Sequence, residues 1–439
     1  MNRHLWLLTL VAAALPARAE TPPLRLTPAE AVSRAREASD RLAALRGLER
    51  AAAAETAAAR AGQRPELALT AGYTRTSEID EFTLRLPRQE PRTIFPNIPD
   101  NYRSRAEISV PVYTGGRLAR LLDSAMAVHE AAGNELDAAR ADVEIETLDA
   151  FWSLVTARES ARVLADAQRA YDAHLEDAEN RRRFGLVAAN EVLAVEVERD
   201  RAELERLSAA ARAEIAEADL RRLLGLPEDT PIEPLVPADE AAPAVDRLDA
   251  AAAAGERAEV RALRARLASA EALARAEAAA ARPQLAAAAG FDYARPNREI
   301  LPLHDEWDDT WDVSLNLTYR PFDGGRTAAA VARANARADA LRAQLAGLER
   351  SLAQEFTASA IELRTARAAL PVAERNREAA TENLRVARER YREGVIPSSE
   401  LLDAEVSLLA AGLDRTGALA RLHLAAARAR RAAGQPALP

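Results

Sequence analysis

The chain has 439 residues, 49% hydrophobic and 29% charged, with only 17 Gly and 23 Pro, a composition that excludes disorder and collagen-like sequence and predicts long helices. All 59 basic residues are Arg, and the absence of Lys and Cys excludes a Walker A loop, a Schiff-base lysine, disulfides, thiol nucleophiles and cysteine-bound metals. A net charge of -9 argues against nucleic-acid binding, which needs a surplus of cations.

Residues 1–19 read as a signal peptide: Arg3 and His4 form a basic start, Leu5 to Leu15 an apolar core, and Ala17-Arg18-Ala19 a small-residue cleavage site. Helical periodicity follows over 28–63 and stops at Arg64-Pro65. The period then changes to two. Leu67, Leu69, Ala71 and Tyr73 alternate with small or polar residues, as do Ala106, Ile108, Val110 and Val112, which predicts two strands. After Gly115-Gly116-Arg117 the helical pattern runs to 183, which at 1.5 Å per residue spans roughly 100 Å. A turn at Gly185 and a returning helix over 190–224 complete the first unit. The summed length of the entry and returning helices nearly equals that of the long one, so two short helices stacked end to end can flank it.

The same order then recurs. Gly324-Gly325-Arg326 repeats Gly115-Gly116-Arg117, and Gly394 repeats Gly185 at the same offset of 209; Glu196 falls on Glu405. Arg282-Pro283 repeats Arg64-Pro65 at 218, so the first copy carries nine more residues between its proline and its paired glycines. The domain reading is a first repeat over 20–226, a Pro-rich linker over 227–246, a second repeat over 247–434 and a tail over 435–439. In the second repeat a helix is expected over 247–281 and strands at Leu285 to Tyr293 and Trp311 to Tyr319. Pro371 is expected to kink the second long helix. Leu402, Val406, Leu409 and Leu413, with Leu193, Val197, Asp200 and Leu204 at equivalent places, form a seam expected to close the helical hairpins.

Strands of about ten residues, apolar on one face and bearing aromatics such as Tyr73, Tyr113, Trp311 and Tyr319, fit a transmembrane β-barrel. Four strands cannot close a barrel, since the smallest have about eight. Several chains must pool theirs.

The signal peptide, the tandem helix–strand–strand–helix copies, the junctions Pro111 to Arg117 and Pro321 to Arg326, and the turns Phe184 to Asn190 and Tyr391 to Pro397 together resemble the TolC-like outer-membrane efflux protein family. The resemblance covers essentially the whole mature chain. It implies a mainly α fold with a membrane β-barrel: a homotrimer with a 12-stranded barrel in outer-membrane lipid, continued by a long α-helical barrel across the periplasm. It also implies two partners, a periplasmic adaptor protein and an inner-membrane transporter, and the role of exit duct in a tripartite efflux or type I secretion system. By position, Gly185, Leu186, Val187 and Asn190, with Gly394, Val395, Ile396 and Pro397, resemble the tips that meet the adaptor. Leu186, Val187, Val395 and Ile396 are expected to offer apolar knobs there. Glu400 and Asp403, with Tyr391 and Glu191, resemble the pore constriction. Ile396 stands where the best-studied member has a latch arginine.

No catalytic motif is found, and no metal or cofactor is expected: there is no G-x-S-x-G or H-E-x-x-H, and His129, His174, His304 and His423 lack ligand spacing and read as surface residues. The competing reading is a periplasmic coiled-coil adaptor or scaffold without a barrel. It accounts for the long helices but not for two equal copies with membrane-patterned strands.

Overall fold

A computed structural model describes residues 22–87, 90–236, 255 and 257–438; the expected signal peptide and part of the expected linker lie outside them. Two helices 67 residues long, α3 (Arg117–Arg183) and α6 (Arg326–Arg392), organise everything else. Pro371 lies inside α6 without interrupting it. Each long helix is flanked by a short helix toward the strands and a 35-residue helix toward the tips. In the first repeat these are α2 (Asp40–Ala61) and α4 (Ala189–Leu223); in the second, α5 (Ala258–Ala279) and α7 (Ser398–Ala432).

The entry helix expected over 28–63 is two helices. Ser39 is extended (ψ 112°), ends α1 (Pro28–Ala38) and starts α2 by accepting a hydrogen bond from the Leu42 N–H. A capping box between Thr27 and Glu30, with Pro28 in the first turn, starts α1. The expected linker contributes structure too, since β6 (Ile232–Pro234) pairs in parallel with β1 (Leu24–Leu26). These short elements wrap the middle of α3 and build the largest apolar core, where Leu26, Leu42, Phe151, Leu154, Leu220 and Ile232 are buried. Trp152 joins that core and stacks on His423 with centroids 4.2 Å apart.

The four predicted strands exist: β2 (Glu66–Arg75), β5 (Asp100–Tyr113), β7 (Gln284–Arg295) and β8 (Asp308–Thr318). They form one antiparallel sheet in the order β2-β5-β7-β8. The nine additional residues of the first copy fall in a long connection, where β3 (Phe82–Leu84) pairs with β4 (Arg92–Phe95). Register makes the two faces chemically distinct. Rows Leu67-Ile108-Ala289-Val313 and Leu69-Ala106-Phe291-Trp311 lie on one face; Ala68-Glu107-Gly290-Asp312 and Thr70-Arg105-Asp292-Thr310 lie on the other. On that polar face Arg105 pairs with Asp292, Glu107 and Asp312. Trp311, Val313, Leu315 and Leu317 project from the apolar face and are exposed. An apolar outside and a charged inside is the pattern of a membrane barrel wall.

Lateral order is the same at every level. Toward the strands the helices run α2-α3-α5-α6, and toward the tips α4-α3-α7-α6. Ser124 to Ser269 (2.9 Å) and Arg266 to Glu135 (2.5 Å) join α3 to α5; Arg342 to Glu271 (2.8 Å) joins α6 to α5. The open edges are therefore first-repeat elements on one side (α2, β2, α4) and second-repeat elements on the other (α6, β8).

The helical seam differs from expectation. Inside the first hairpin α4 buries Val192, Val195, Ala202 and Ala209, whereas Leu193, Val197 and Leu204 are exposed along the open edge together with Leu207 and Ile215. In α7, by contrast, Leu402 is buried. The larger side chains of α4 are thus left for a different neighbour.

Candidate functional site at the helical tips

Both hairpins turn the same way. Gly185 (φ +72°) donates to Arg182 O at 2.9 Å and Leu186 donates to Arg181 O at 2.9 Å; Gly394 (φ +73°) donates to Tyr391 O at 3.0 Å and Val395 to Arg390 O at 2.9 Å. This is the Schellman closure, in which a left-handed residue satisfies the last helical carbonyls, and it accounts for a glycine at each place. Neither glycine has a neighbour within 4 Å of a Cβ position, so conformation alone holds them. Leu186 and Val395 are exposed, and Phe184, at 81% exposure, projects further than either. Asn190 and Pro397 are also exposed, and Val187 is half-covered. Ile396 corrects the expectation of an apolar knob: only 6% exposed, it packs among Leu384, Ala387, Tyr391, Leu401 and Ala404 and closes the second hairpin from within. Arginines crowd both C-terminal turns, with Arg181, Arg182 and Arg183 on α3 and Arg390 and Arg392 on α6, where positive charge complements the helix dipole.

The residues expected at a constriction divide into two groups. Glu400 and Asp403 lie on the exposed surface of α7's first turns, with Glu400 3.3 Å from Arg390 across the hairpin. Tyr391 is 4% exposed and packs inward, with the Arg181 guanidinium 4.1 Å from its ring centroid. Burial pushes its hydroxyl pKa up. Glu191 sits at the start of α4, where its carboxylate accepts a hydrogen bond from the Ser398 N–H at 3.3 Å, so it ties the two tips together by capping α7.

His174 is not the surface residue expected of it. It is 4% exposed and lies between the repeats, with Nδ1 3.0 Å from Glu405 Oε2, Nε2 2.8 Å from Ser398 Oγ, and its ring edge against Tyr391 at 5.5 Å. Buried Tyr171, one turn away, has its phenol pushed upward by burial and then by Glu405 and Glu198. The sequence held a signal for this arrangement: Leu164, Tyr171, His174 and Ala178 recur at helical spacing and are all buried. Among the described residues no group of His, Asp and Glu has the arrangement of a metal site, and no helix is long and apolar enough to cross a membrane.

The fold is shared with solved outer-membrane proteins. VceC of Vibrio cholerae superposes with a TM-score of 0.78 at 20% identity, covering 93% of this chain and 96% of that one. The CmeC channel of Campylobacter jejuni gives 0.77 at 16%, covering 93% and 85%. The open MtrE channel of Neisseria gonorrhoeae gives 0.76 at 19%, covering 93% and 89%. No curated protein sequence is significantly similar. The sequence profile of outer membrane efflux proteins matches residues 31–226 and again 250–435, most of each repeat, and the chain belongs to the outer membrane efflux protein family.

Proposed function

We propose that this outer-membrane efflux channel works as a homotrimer in which three four-stranded sheets close a 12-stranded barrel and the helices close a duct below it. The observation that carries this reading is the common sense of the open edges. In sheet and helices alike, first-repeat elements are exposed on one side and second-repeat elements on the other, so one rotation that sets β2 beside a neighbour's β8 also sets α4 beside that neighbour's α6. Strand direction agrees, because β2 leaves the helices and β8 returns to them, which makes the new pair antiparallel. Apolar side chains line both helical edges: Leu193, Val197, Leu204 and Ile215 on α4, and Ile361, Val372 and Val386 on α6. Heterologous edges of this kind close into rings. A periplasmic adaptor without a barrel leaves the sheet and its two-faced chemistry without a purpose.

The tips are the docking surface for a periplasmic adaptor, which connects the duct to an inner-membrane transporter. Phe184, Leu186 and Val395 provide the apolar contacts, and the arginines around them favour a partner rich in carbonyl and carboxylate oxygens. Glu400 and Asp403, repeated three times, line the pore mouth and draw cations toward it. The protein performs no chemistry on its cargo. Cross-linking of detergent-purified protein should stop at three chains, and a stable monomer in the soluble periplasmic fraction would refute the barrel.

A further inference from the structure

We propose that His174 is a positioning residue for the pore mouth and makes the channel's conductance fall in acid. The inference rests on the reading that Glu400 and Asp403 line the mouth, since His174 acts through the helix that carries them. Its ring bridges Glu405, in the second turn of α7, and Ser398, the residue that begins α7. A carboxylate can only accept, so the neutral ring donates from Nδ1 to Glu405 and accepts the Ser398 hydroxyl proton at Nε2. Together with the bond from the Ser398 N–H to Glu191, this fixes the start of α7 to both helices of the first hairpin. Glu400 and Asp403 stand two and five residues further along.

Protonation changes the strength of that tie without breaking it. The second proton leaves both bonds in place, with Nε2–H now donating to Ser398 Oγ, and turns the contact with Glu405 into an ion pair between side chains 1% and 4% exposed, where attraction between charges is stronger than in open water. Glu405 and Ser398 from α7 and Tyr391 from α6 face the ring; behind them stand Arg388 beside Glu405, Glu191 on the Ser398 N–H, Arg181 over Tyr391 with Asp177 paired to it, and Tyr171 near Glu405. Arg388, 3.7 Å from Glu405 and half-exposed, offsets the carboxylate from the solvent side. A cavity of about 370 Å³ lined by Tyr171, Arg388 and Glu405 borders the network and gives protons a way in. Histidine is the side chain that changes charge between about pH 5 and 8, so the α3–α7 junction is held more tightly at the acidic end and the mouth opens less.

The test is conductance of the purified trimer in planar bilayers at about pH 8 and about pH 5.5. The wild-type conductance should fall about fivefold or more in acid, a modest coupling between two states. His174→Gln should stay near the alkaline level at both values, and Glu405→Gln should lose most of the step. A step of unchanged size in His174→Gln overturns the proposal. Should that variant fail to assemble, Glu405→Gln decides instead: it removes the carboxylate that the charged ring would pair with, and a step of unchanged size in it refutes the idea equally. Cation selectivity and its loss in Glu400→Gln with Asp403→Asn test the mouth assignment separately, because that variant should keep its pH step. Hydrogen exchange of the Leu401 and Leu402 amides, corrected for intrinsic rate, reads the junction without any current. It should slow in acid in the wild type and not in His174→Gln.

Discussion

The internal duplication supplies a controlled experiment at the joint between barrel and duct. Gly115 and Gly324 occupy equivalent places, with φ of +64° and +69°, so alanine at either meets the same conformational penalty of about 1–2 kcal/mol. Their surroundings differ. A Cβ on Gly115 would stand 2.6 Å from Arg282 Cβ and 3.1 Å from Ala279 O, whereas one on Gly324 meets nothing within 4 Å. Ordinary carbon contacts are about 3.5–4.0 Å. Both obstacles belong to backbone-anchored atoms, and Arg282 also donates from Nη1 to Gly115 O at 2.9 Å, so no flexible tip can swing aside. Overpacking of this sort adds about 1–3 kcal/mol, giving about 2–5 kcal/mol per chain for Gly115→Ala against about 1–2 for Gly324→Ala, and a trimer carries each change three times. Heat dissociation of purified trimers, followed on semi-native gels, should place Gly115→Ala well below Gly324→Ala and the latter slightly below wild type. Equal midpoints, or a worse outcome for Gly324→Ala, would refute the claim that the two joints are packed differently.

At the tips, valine at Gly185 or Gly394 should strain the Schellman turn by about 1–2 kcal/mol, leaving trimer abundance normal while transport in cells is lost; intact transport in both variants would remove these turns from the docking surface. Glu400→Gln with Asp403→Asn should reduce cation selectivity and block by multivalent cations in reconstituted channels, with assembly unchanged on gels. Leu204→Glu, on the exposed edge of α4, should release monomers, because a buried leucine is worth about 1.5–3 kcal/mol and the replacement also buries a charge; cross-linking in detergent reads this directly. For pH, burial alone would raise the Glu259 carboxyl, but hydrogen bonds from Arg257 and the backbone, with the charges of Arg257 and Arg431, outweigh it and hold it below its ordinary 4.5. A depressed acid contributes in full above its unfolded pKa and loses its contribution as pH falls through the folded value. Arg257→Met should therefore weaken acid resistance of the purified trimer below about pH 4.5 less than it weakens stability at pH 7, since the pairing it removes operates fully only at neutrality.

What could be read from the chain followed from periodicity and punctuation. The long helix expected over 117–183 has those bounds, and α4 starts one residue before the expected 190. In such stretches the signal is local: Gly-Gly-Arg starts a helix after a left-handed pair, and a glycine ends it. The four sheet strands were legible for the same reason, since alternation over about ten residues has no competing helical period. Pairings between distant segments were not. Leu24 meets Ile232 across 208 residues, and three-residue strands carry too little pattern to announce themselves. The break at Ser39 had a local cue in Ser-Asp before an apolar residue, but the surrounding Ala- and Arg-rich sequence continues as helix on both sides and outweighs it. The buried place of His174 is not legible, because scarcity and spacing of histidines speak only to metal binding. Its burial depends on the helical face it shares with Tyr171 and on Glu405 arriving from the other repeat.

The places where equivalent positions diverge reveal what the duplication is for. Phe184 projects where the second repeat has Glu393, and buried His174 stands where it has Asn383. Two identical copies would make the α3–α7 contact within a protomer and an α4–α6 contact between protomers the same. The topology puts first-repeat elements on one side of the protomer and second-repeat elements on the other from sheet to tips, and divergence lets the two kinds of contact differ. In the proposed trimer each open edge finds its complement on another chain, and the α3–α7 contact within a protomer would differ in chemistry from the α4–α6 contact between protomers. The first carries the buried hydrogen-bond network of His174, Glu405 and Ser398; the second would be lined by Leu193, Val197, Ile361 and Val372. Loosening the proposed ring at its His174 joints while the apolar ones hold would give the mouth a way to widen without the trimer coming apart.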